Sequence, residues 1–486
     1  MLVQEHERVL TAKGYAIKKT SLTEVQIKHL QSELTMAPKV LDKFQKMTPK
    51  FQIYYESKTR YYVPRHWGKK TFGEPEADIV PTGLTLSDSI LFRNTFPPHD
   101  FQRDIIQTFI ETGANGLICV PCGYGKTFMA LHIAVQLKLR FLIIVDKEFL
   151  MNQWKAEIEN FIESARVGIL QANKIQIDAE KFDVTICMIQ TICRRDFPEG
   201  FFDQYGFTIF DECHHLGASY FSQALRKIQT KYMLGLSATP DREDGLTKVF
   251  EYFLGDPVYK KTQREPDKEA VVKAVWFDSE DPVYKEVPVN WKGELVTAKL
   301  LNQVAEFEPR NLKIMELVHI YAQDEDRFIL ILSDRISQLE WFENALNEHK
   351  YIHGYYIGGM KQAVLDNNAA KCKILLATYQ MASEAFSVKK LNTVILATPR
   401  KQVQQSTGRI FRQRIDERKV PPHIIDIIDS HDCHKRRWYV RQKFYKDCQY
   451  TFEHMDKPKK SAASNASNAA KSVDIANAAS VSLFKF

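Results

Sequence analysis

Apolar runs of four to seven residues recur along the chain, separated by segments with helical spacing of apolar and polar positions. The first series falls at 116–120, 141–145, 184–188, 207–210 and 232–236, and a second at 328–332, 351–357, 374–377, 393–397 and 423–428. Continuous apolar runs of this length predict strands covered on both faces, and their alternation with helices predicts parallel sheets. Two α/β domains in tandem follow, at 90–261 and 325–456. The stretch 262–324 contains Pro266, Pro282 and Pro288, a charged strand-like segment, and then a helical pattern over 295–322. It reads as a connector plus the first helix of the second domain.

Before the first series, residues 1–89 are basic and aromatic: Phe51, Tyr54, Tyr55, Tyr61, Tyr62 and Trp67 interleave with Lys58, Arg60, Arg65, Lys69 and Lys70. Such a stretch can stack bases and hold phosphates, with Arg60 and Arg65 as candidate contacts. It reads equally as a small β-rich domain whose alternating tyrosines are half core. Residues 457–486, rich in Ala, Ser and Asn, predict a disordered tail; within it Lys457 to Lys460 resemble a weak nuclear-import signal, though a solvated tail accounts for them as well.

Composition narrows the class. With 486 residues, 44% hydrophobic and 26% charged, the chain has room for several cores and is far from collagen-like or wholly disordered sequences. Apolar runs near five residues are too short for a bilayer, which needs about 20, and residues 1–20 hold no signal-peptide core. An intracellular, non-secreted protein with no membrane partner is expected. Eight cysteines are too sparse for a disulfide framework, and the lone CxxC of Cys119 and Cys122 overlaps a phosphate-loop pattern and is incidental. The net charge of +7 is uneven: residues 1–70 carry 14 Lys/Arg against 6 Asp/Glu, and 431–460 carry 9 against 4. That unevenness points to a polyanionic partner.

The chemistry starts after the first predicted strand. Pro121, Cys122, Gly123, Tyr124, Gly125, Lys126 and Thr127 precede a helical pattern over 128–137. Glycines there let backbone N–H groups turn toward phosphate oxygens, and the helix N-terminus adds a favourable dipole. Lys126 would neutralise phosphate charge and Thr127 would offer a hydroxyl to Mg²⁺. The full pattern has glycine where Val120 stands. Downstream, the run 207–210 ends in Asp211 and Glu212, at the carboxyl end of a strand where such sheets bind ligands. Asp211 would hold Mg²⁺, and Glu212 would orient or deprotonate water. Ser237, Ala238 and Thr239 follow another strand and could relay the state of the phosphate site. In the second domain, a helix from Val403 would put Gln405, Arg409 and Arg412 on one face, with forked, permanent charges suited to a phosphoryl-transfer transition state.

These words, in this order, resemble motifs I, II, III and VI of the superfamily 2 helicases of the DExH group. Weaker likenesses fill the intervals. Gln102 resembles the adenine-reading glutamine and 150–154 motif Ia; 188–191, with Gln190 and Thr191, resembles motif Ib. Residues 331–334 resemble motif IV, and Thr378 with 383–387 motif V. The motif-Ia Gln153-Trp154, the second histidine after His214, and 308–311 are similar to the XPB-related subgroup. That subgroup includes UvsW-type phage helicases and the poxvirus transcript-release helicase, and a large DNA virus is the expected source. Two departures stand out: Ala385 and Ser387 replace the motif-V glycine and aspartate, and His99 stands where an arginine is usual.

The resemblance implies two tandem RecA-like domains with parallel sheets plus the small basic N-terminal accessory domain. It implies ATP and Mg²⁺ held by the 120–127 loop, Gln102 and Asp211, with Lys126, Asp211, Glu212, His214, Gln405, Arg409 and Arg412 in hydrolysis. Ser237 and Thr239 would couple hydrolysis to nucleic acid, gripped by Gln190, Thr191 and Thr378. The expected partner is duplex or branched DNA bound without sequence preference, with RNA or a polymerase complex as the alternative. Action in the nucleus or at a cytoplasmic viral replication site, or packaging in virions, would fit.

Overall fold

A computed structural model describes residues 6–39, 48–93, 97–121, 123–261, 266–384, 388–413 and 415–456. The expectations for Cys122, Ala385, Ser387 and 457–486 lie outside these residues. The chain divides into two compact units, 1–265 with 382–387, and 266–381 with 388–486.

The first unit begins with a five-stranded sheet: β1 (Arg8–Thr11), β2 (Gly14–Lys18), β3 (Tyr55–Glu56), β4 (Arg60–Val63) and β5 (Ala77–Asp78), in the order β3-β4-β2-β1-β5. This sheet is not a detached module. Leu10, Tyr15, Ile17, Tyr54, Tyr61, Val63 and Trp67 belong to one core with Leu117, Leu142, Phe210 and Phe253 of the following domain. Arg60 and Arg65, the expected nucleic-acid contacts, are buried as well. Arg60 donates to the carbonyls of His6 and Glu7, and Arg65 donates to that of Lys231. Burial pulls the Arg65 guanidinium down to about 10. Guanidinium groups so deeply desolvated are held by the backbone carbonyls they capture.

The main sheet of this unit comprises β6 (Asn115–Cys119), β7 (Phe141–Val145), β8 (Val167–Gln171), β9 (Lys174–Ile175), β10 (Val184–Met188), β11 (Phe207–Phe210), β12 (Tyr232–Ser237) and β13 (Pro257–Lys260). Its order is β9-β8-β10-β7-β11-β12-β6-β13, parallel apart from the short β9 hairpin. The sequences FLIIV, VTICM and FTIF of β7, β10 and β11 are buried throughout, as strands covered by helices on both faces must be.

The second unit holds an all-parallel sheet of β14 (Val271–Phe277), β15 (Ile329–Ser333), β16 (His353–Tyr356), β17 (Ile374–Thr378), β18 (Thr393–Leu396), β19 (His423–Asp429) and β20 (Thr451–Met455), ordered β16-β17-β15-β18-β19-β14-β20. Leaving out β9 and ranking strands by chain order, both sheets read 3-4-2-5-6-1-7. This is the tandem architecture that the resemblance implies. The strand-like segment of the stretch 262–324 is β14, an internal strand paired with β19 and β20. The expected helical pattern over 295–322 is two helices, Thr297–Glu306 and Glu308–Ala322.

Candidate active site

Six residues separate the end of β6 from the expected catalytic lysine, and the backbone explains how the turn is made. Gly123 and Gly125 take φ of 90° and 79°, a region that favours glycine. A Cβ on Gly125 would stand 2.5 Å from the Gln102 amide nitrogen. That nitrogen donates to the Tyr124 carbonyl at 3.0 Å, while the Gln102 oxygen accepts from the His99 N–H at 3.0 Å. Gln102 thus ties its own helix, Asp100–Glu111, to the loop. The helix Lys126–Leu137 starts at the expected lysine, and Val120 is fastened to β12 by its N–H donating to the Ser237 carbonyl at 3.2 Å. Pro121 and Val120 are buried, and Thr127 is half-buried on the first helical turn.

The acids stand at the end of β11, two strands from β6 in the sheet. Glu212 sits at φ 43°, left-handed backbone that a long side chain rarely adopts and that marks strain at a site. This turn brings its carboxylate to Lys126, Nζ to Oε1 3.1 Å, with both side chains largely buried. Asp211 accepts from the Glu212 N–H at 3.0 Å and from the Trp154 indole Nε1 at 2.8 Å. Burial and the adjoining Glu212 raise the Asp211 carboxyl. Burial would also raise Glu212, but the Lys126 and His214 charges outweigh it and hold it low. Two neighbouring carboxyls pushed in opposite directions are a mark of acid–base sites.

A path of close polar contacts leads away from the acids. His214 Nδ1 lies 3.4 Å from Glu212 Oε2 and 3.0 Å from the Ser237 hydroxyl, which accepts from the Thr239 N–H at 3.1 Å. Burial lowers His214 to about 4, so its ring is neutral near pH 7. His215 pairs with Asp146 at 2.8 Å, and Arg242 donates to the His214 carbonyl at 2.5 Å.

The structure therefore ties Gln102 to Tyr124, and places Lys126, Asp211, Glu212, His214, Ser237 and Thr239 along one run of short polar contacts. Other expected residues fall elsewhere. Thr191 is buried, its hydroxyl accepting from the Ala172 N–H at 2.9 Å, and Gln190 donates to the Asp146 carbonyl at 2.6 Å. Both side chains, the expected nucleic-acid contacts, hold neighbouring segments together. The Thr378 hydroxyl accepts from the Met381 N–H at 3.4 Å. In the second unit the expected helix from Val403 lasts only Gln404–Thr407 and tightens into a 3₁₀ turn at Gly408–Phe411. Gln405, Arg409 and Arg412 are therefore not on one regular helix face, and Arg409 is 5% exposed. The roles of Trp154 as donor to Asp211, and of Asp146 and Arg242, carried no spacing signal, because each joins residues 28 to 69 positions apart.

A phosphate loop and paired carboxylates on the first of two sheets with one strand order are the plan of a RecA-like motor ATPase. Residues 95–242 match the family of the type III restriction enzyme res subunit. The mimivirus protein L396 from Acanthamoeba polyphaga mimivirus, provisionally named an ATP-dependent RNA helicase, is 31% identical over 454 residues, covering 91% of this chain and 86% of its own. The provisionally named helicase 161L of invertebrate iridescent virus 6 is 30% identical over 396 residues, covering 74% and 85%. QP509L of African swine fever virus, another provisional ATP-dependent RNA helicase, is 27% identical over 379 residues, covering 72% and 73%. The chain belongs to this family of superfamily 2 helicases of large DNA viruses, nucleic-acid-dependent ATPases. Among the described residues, no helix is long and apolar enough to cross a membrane.

Proposed function

We propose that the chain couples ATP hydrolysis to movement on, or remodelling of, duplex or branched DNA. The observation that carries the catalytic part is the buried Lys126–Glu212 pair at 3.1 Å with Asp211 beside it. Lys126 exchanges Glu212 for phosphate oxygens when nucleotide enters the 120–127 loop, releasing Glu212 to orient and deprotonate the attacking water. Gln102 binds the adenine through the same amide that fixes Tyr124. Thr127 and Asp211 would hold Mg²⁺. Hydroxyl and carboxylate oxygens are the hard donors this ion prefers, and among the described residues no cluster of three or more His, Cys, Asp or Glu forms a self-contained metal cage. That fits an ion completed by phosphates and water, and its charge would offset that on the transferred phosphoryl group. His214, Ser237 and Thr239 carry the change at Glu212 outward. Arg409 and Arg412 supply the remaining transition-state charge, and Gln405 a neutral hydrogen-bonding amide.

DNA as the track rests on the motif resemblance to the XPB-related subgroup and on the basic N-terminal region, whose exposed Lys28, Lys58 and Lys70 suit sequence-independent phosphate contacts; Thr378 would add a contact from the second unit. RNA or a transcription complex is the second reading, favoured by the provisional names of the mimivirus and swine fever virus relatives. The site of action would be the nucleus or a cytoplasmic replication site.

Phosphate release by the purified chain, measured with duplex DNA, single strands, forks and RNA, tests both parts. Forked or duplex DNA should stimulate most, and Lys126→Ala should lower stimulated turnover by about 10² or more. Undiminished turnover in that variant refutes the site, and stimulation by RNA alone replaces the first reading with the second.

A further inference from the structure

Away from Lys126, Asp211 and Glu212, the first unit contains a cavity of about 680 Å³. Its walls come from the β1–β2 turn, from β3 and β4, from 196–203, and from the helix Ser222–Lys227 with the strand-leading residues after it. The volume falls in the range of small-molecule sites.

One wall is aromatic by construction. Tyr55 of β3 and Tyr62 of β4 are direct partners across the ladder, so their side chains share one face, and their rings stack at 4.8 Å and 10°. The Tyr55 hydroxyl donates to the Lys13 carbonyl at 2.9 Å, which fixes that ring. Phe197, Phe201 and Phe202 line another wall, mutually packed with centroids 4.6 to 5.0 Å apart.

The polar groups on the lining differ in what they have left to offer. Lys13 pairs with Glu199 at 2.9 Å, and Lys227 donates to the Cys193 and Arg195 carbonyls. Arg226 is different: half-buried on the cavity wall, it has no acidic or hydrogen-bonding partner among the described residues. Burial lowers its guanidinium, and the nearest titratable influence is Tyr55. Gln229, 5% exposed and also on the lining, has a buried amide oxygen that accepts from no donor among the described residues. An uncompensated half-buried cation and an orphaned buried acceptor both cost stability unless a ligand meets them.

A ligand that answers all three features has a flat ring for the aromatic walls, an anion for Arg226 and an N–H for Gln229. A nucleotide combines them: a base with an amino or imino N–H, and a phosphate. An apolar peptide leaves Arg226 unmet, and an acidic peptide leaves the flat walls unused. We propose that this cavity binds a single nucleotide, its base against the Tyr and Phe walls and its phosphate at Arg226, independently of the ATP loop. The nucleotide is either free or one unpaired residue of a bound strand. Only the strand source rests on the function proposed above.

Photo-crosslinking of the full chain tests this, using 5-iodouridine monophosphate in one arm and an oligothymidine carrying one 5-iodouracil in the other. Adducts should map to Tyr62 or to 197–202. Arg226→Gln should cut their yield at sub-saturating ligand about tenfold, with Arg226→Lys retaining part of it, while ATP hydrolysis without nucleic acid stays at the wild-type rate. Adducts from the monophosphate identify a free nucleotide, and adducts from the oligomer alone identify a strand residue; either supports the site. Adducts only outside these segments, or a yield indifferent to Arg226→Gln, overturn it. If the wild-type chain hydrolyses no ATP yet crosslinks here, the motor reading fails and the cavity assignment stands.

Discussion

The loop after β6 and the loop after β14 hold the same place in the same strand order, yet their chemistry diverges. After β6 come the glycine turn, Lys126 and Thr127; after β14 come Asp278, Ser279 and Glu280, with no glycine and no lysine. Likewise β11 runs into Asp211 and Glu212, while its counterpart β18 runs into Ala397 and Thr398. The second unit does place carboxylates in its sheet, on β19, but makes them inert. Asp429 is forked by Arg310 at 2.7 and 3.0 Å and Asp426 by Arg441 at 2.8 Å twice, all four side chains essentially unexposed. Tyr284 and Tyr445 donate to the same carboxylates. A carboxylate in such a sheet thus becomes chemistry only where its partner can leave. Lys126 meets Glu212 through one flexible ammonium, whereas two parallel guanidinium bonds hold each acid of β19 in a dry core.

The largest expected effects come from neutralising one acid in each unit. Glu212→Gln should lower stimulated turnover by about 10²–10⁴ and leave thermal unfolding nearly unchanged. Asp429→Asn should do the reverse. Breaking a buried pair by removing one partner costs about 3–5 kcal/mol, because Arg310 is left charged and uncompensated. Turnover per folded molecule should then stay near wild type. Steady-state phosphate release beside calorimetry of each variant checks this, and a Glu212→Gln protein that melts early without losing rate would erase the contrast.

A smaller effect is the acid response of the second unit. His434 and His423 of the second unit are lowered by burial to about 4, His434 with help from Arg437 and against Asp429, and His423 with help from Arg327 and Lys273. Neither His434 ring nitrogen has a partner among the described residues. Because the folded values lie below the ordinary 6.5, the unfolded chain binds more protons between pH 6.5 and 4. The stabilising contribution is complete above about 6.5 and is lost as pH falls toward 4. Thermal unfolding should therefore drop over that window, and His434→Phe should flatten the drop. An unchanged slope in His434→Phe would remove this histidine from the acid response.

Most of the shared plan was readable beforehand, because buried parallel strands announce themselves as unbroken apolar runs: 141–145, 184–188 and 207–210 coincide with β7, β10 and β11. β14 was legible only as a strand-like segment of a connector, because its VVKAVWF includes a lysine and the partners that set it inside the sheet lie about 150 residues on. β20, TFEHM, is an edge strand with mixed polarity. In the N-terminal sheet, alternation located strands but could not say which face would be covered; Tyr61 went into the core and Tyr62 onto the cavity wall. At the site, the loop and the acids were legible as words. The bonds among them were not, since the strand order that brings β6 beside β12 is a property of the fold.

Trp154 gives the smallest and most specific test of the contrast. Its indole supplies the only side-chain hydrogen bond to Asp211 among the described residues, at 2.8 Å, whereas Asp429 receives three such bonds. Trp154→Phe keeps most of the apolar packing in the core with Ile158 and Leu150 and deletes that one donor. A hydrogen bond to a charged group contributes about 1.5–3 kcal/mol. If Trp154 only supports the fold, the loss appears in unfolding and the Mg²⁺ dependence of turnover stays put. If it positions Asp211 for the ion, the Mg²⁺ concentration giving half-maximal turnover should rise about tenfold with little change in the saturated rate. The second outcome is expected, because the indole is the one side-chain donor to Asp211, beside the Glu212 N–H, where Asp429 has three, and a carboxylate with lone pairs to spare can take a metal.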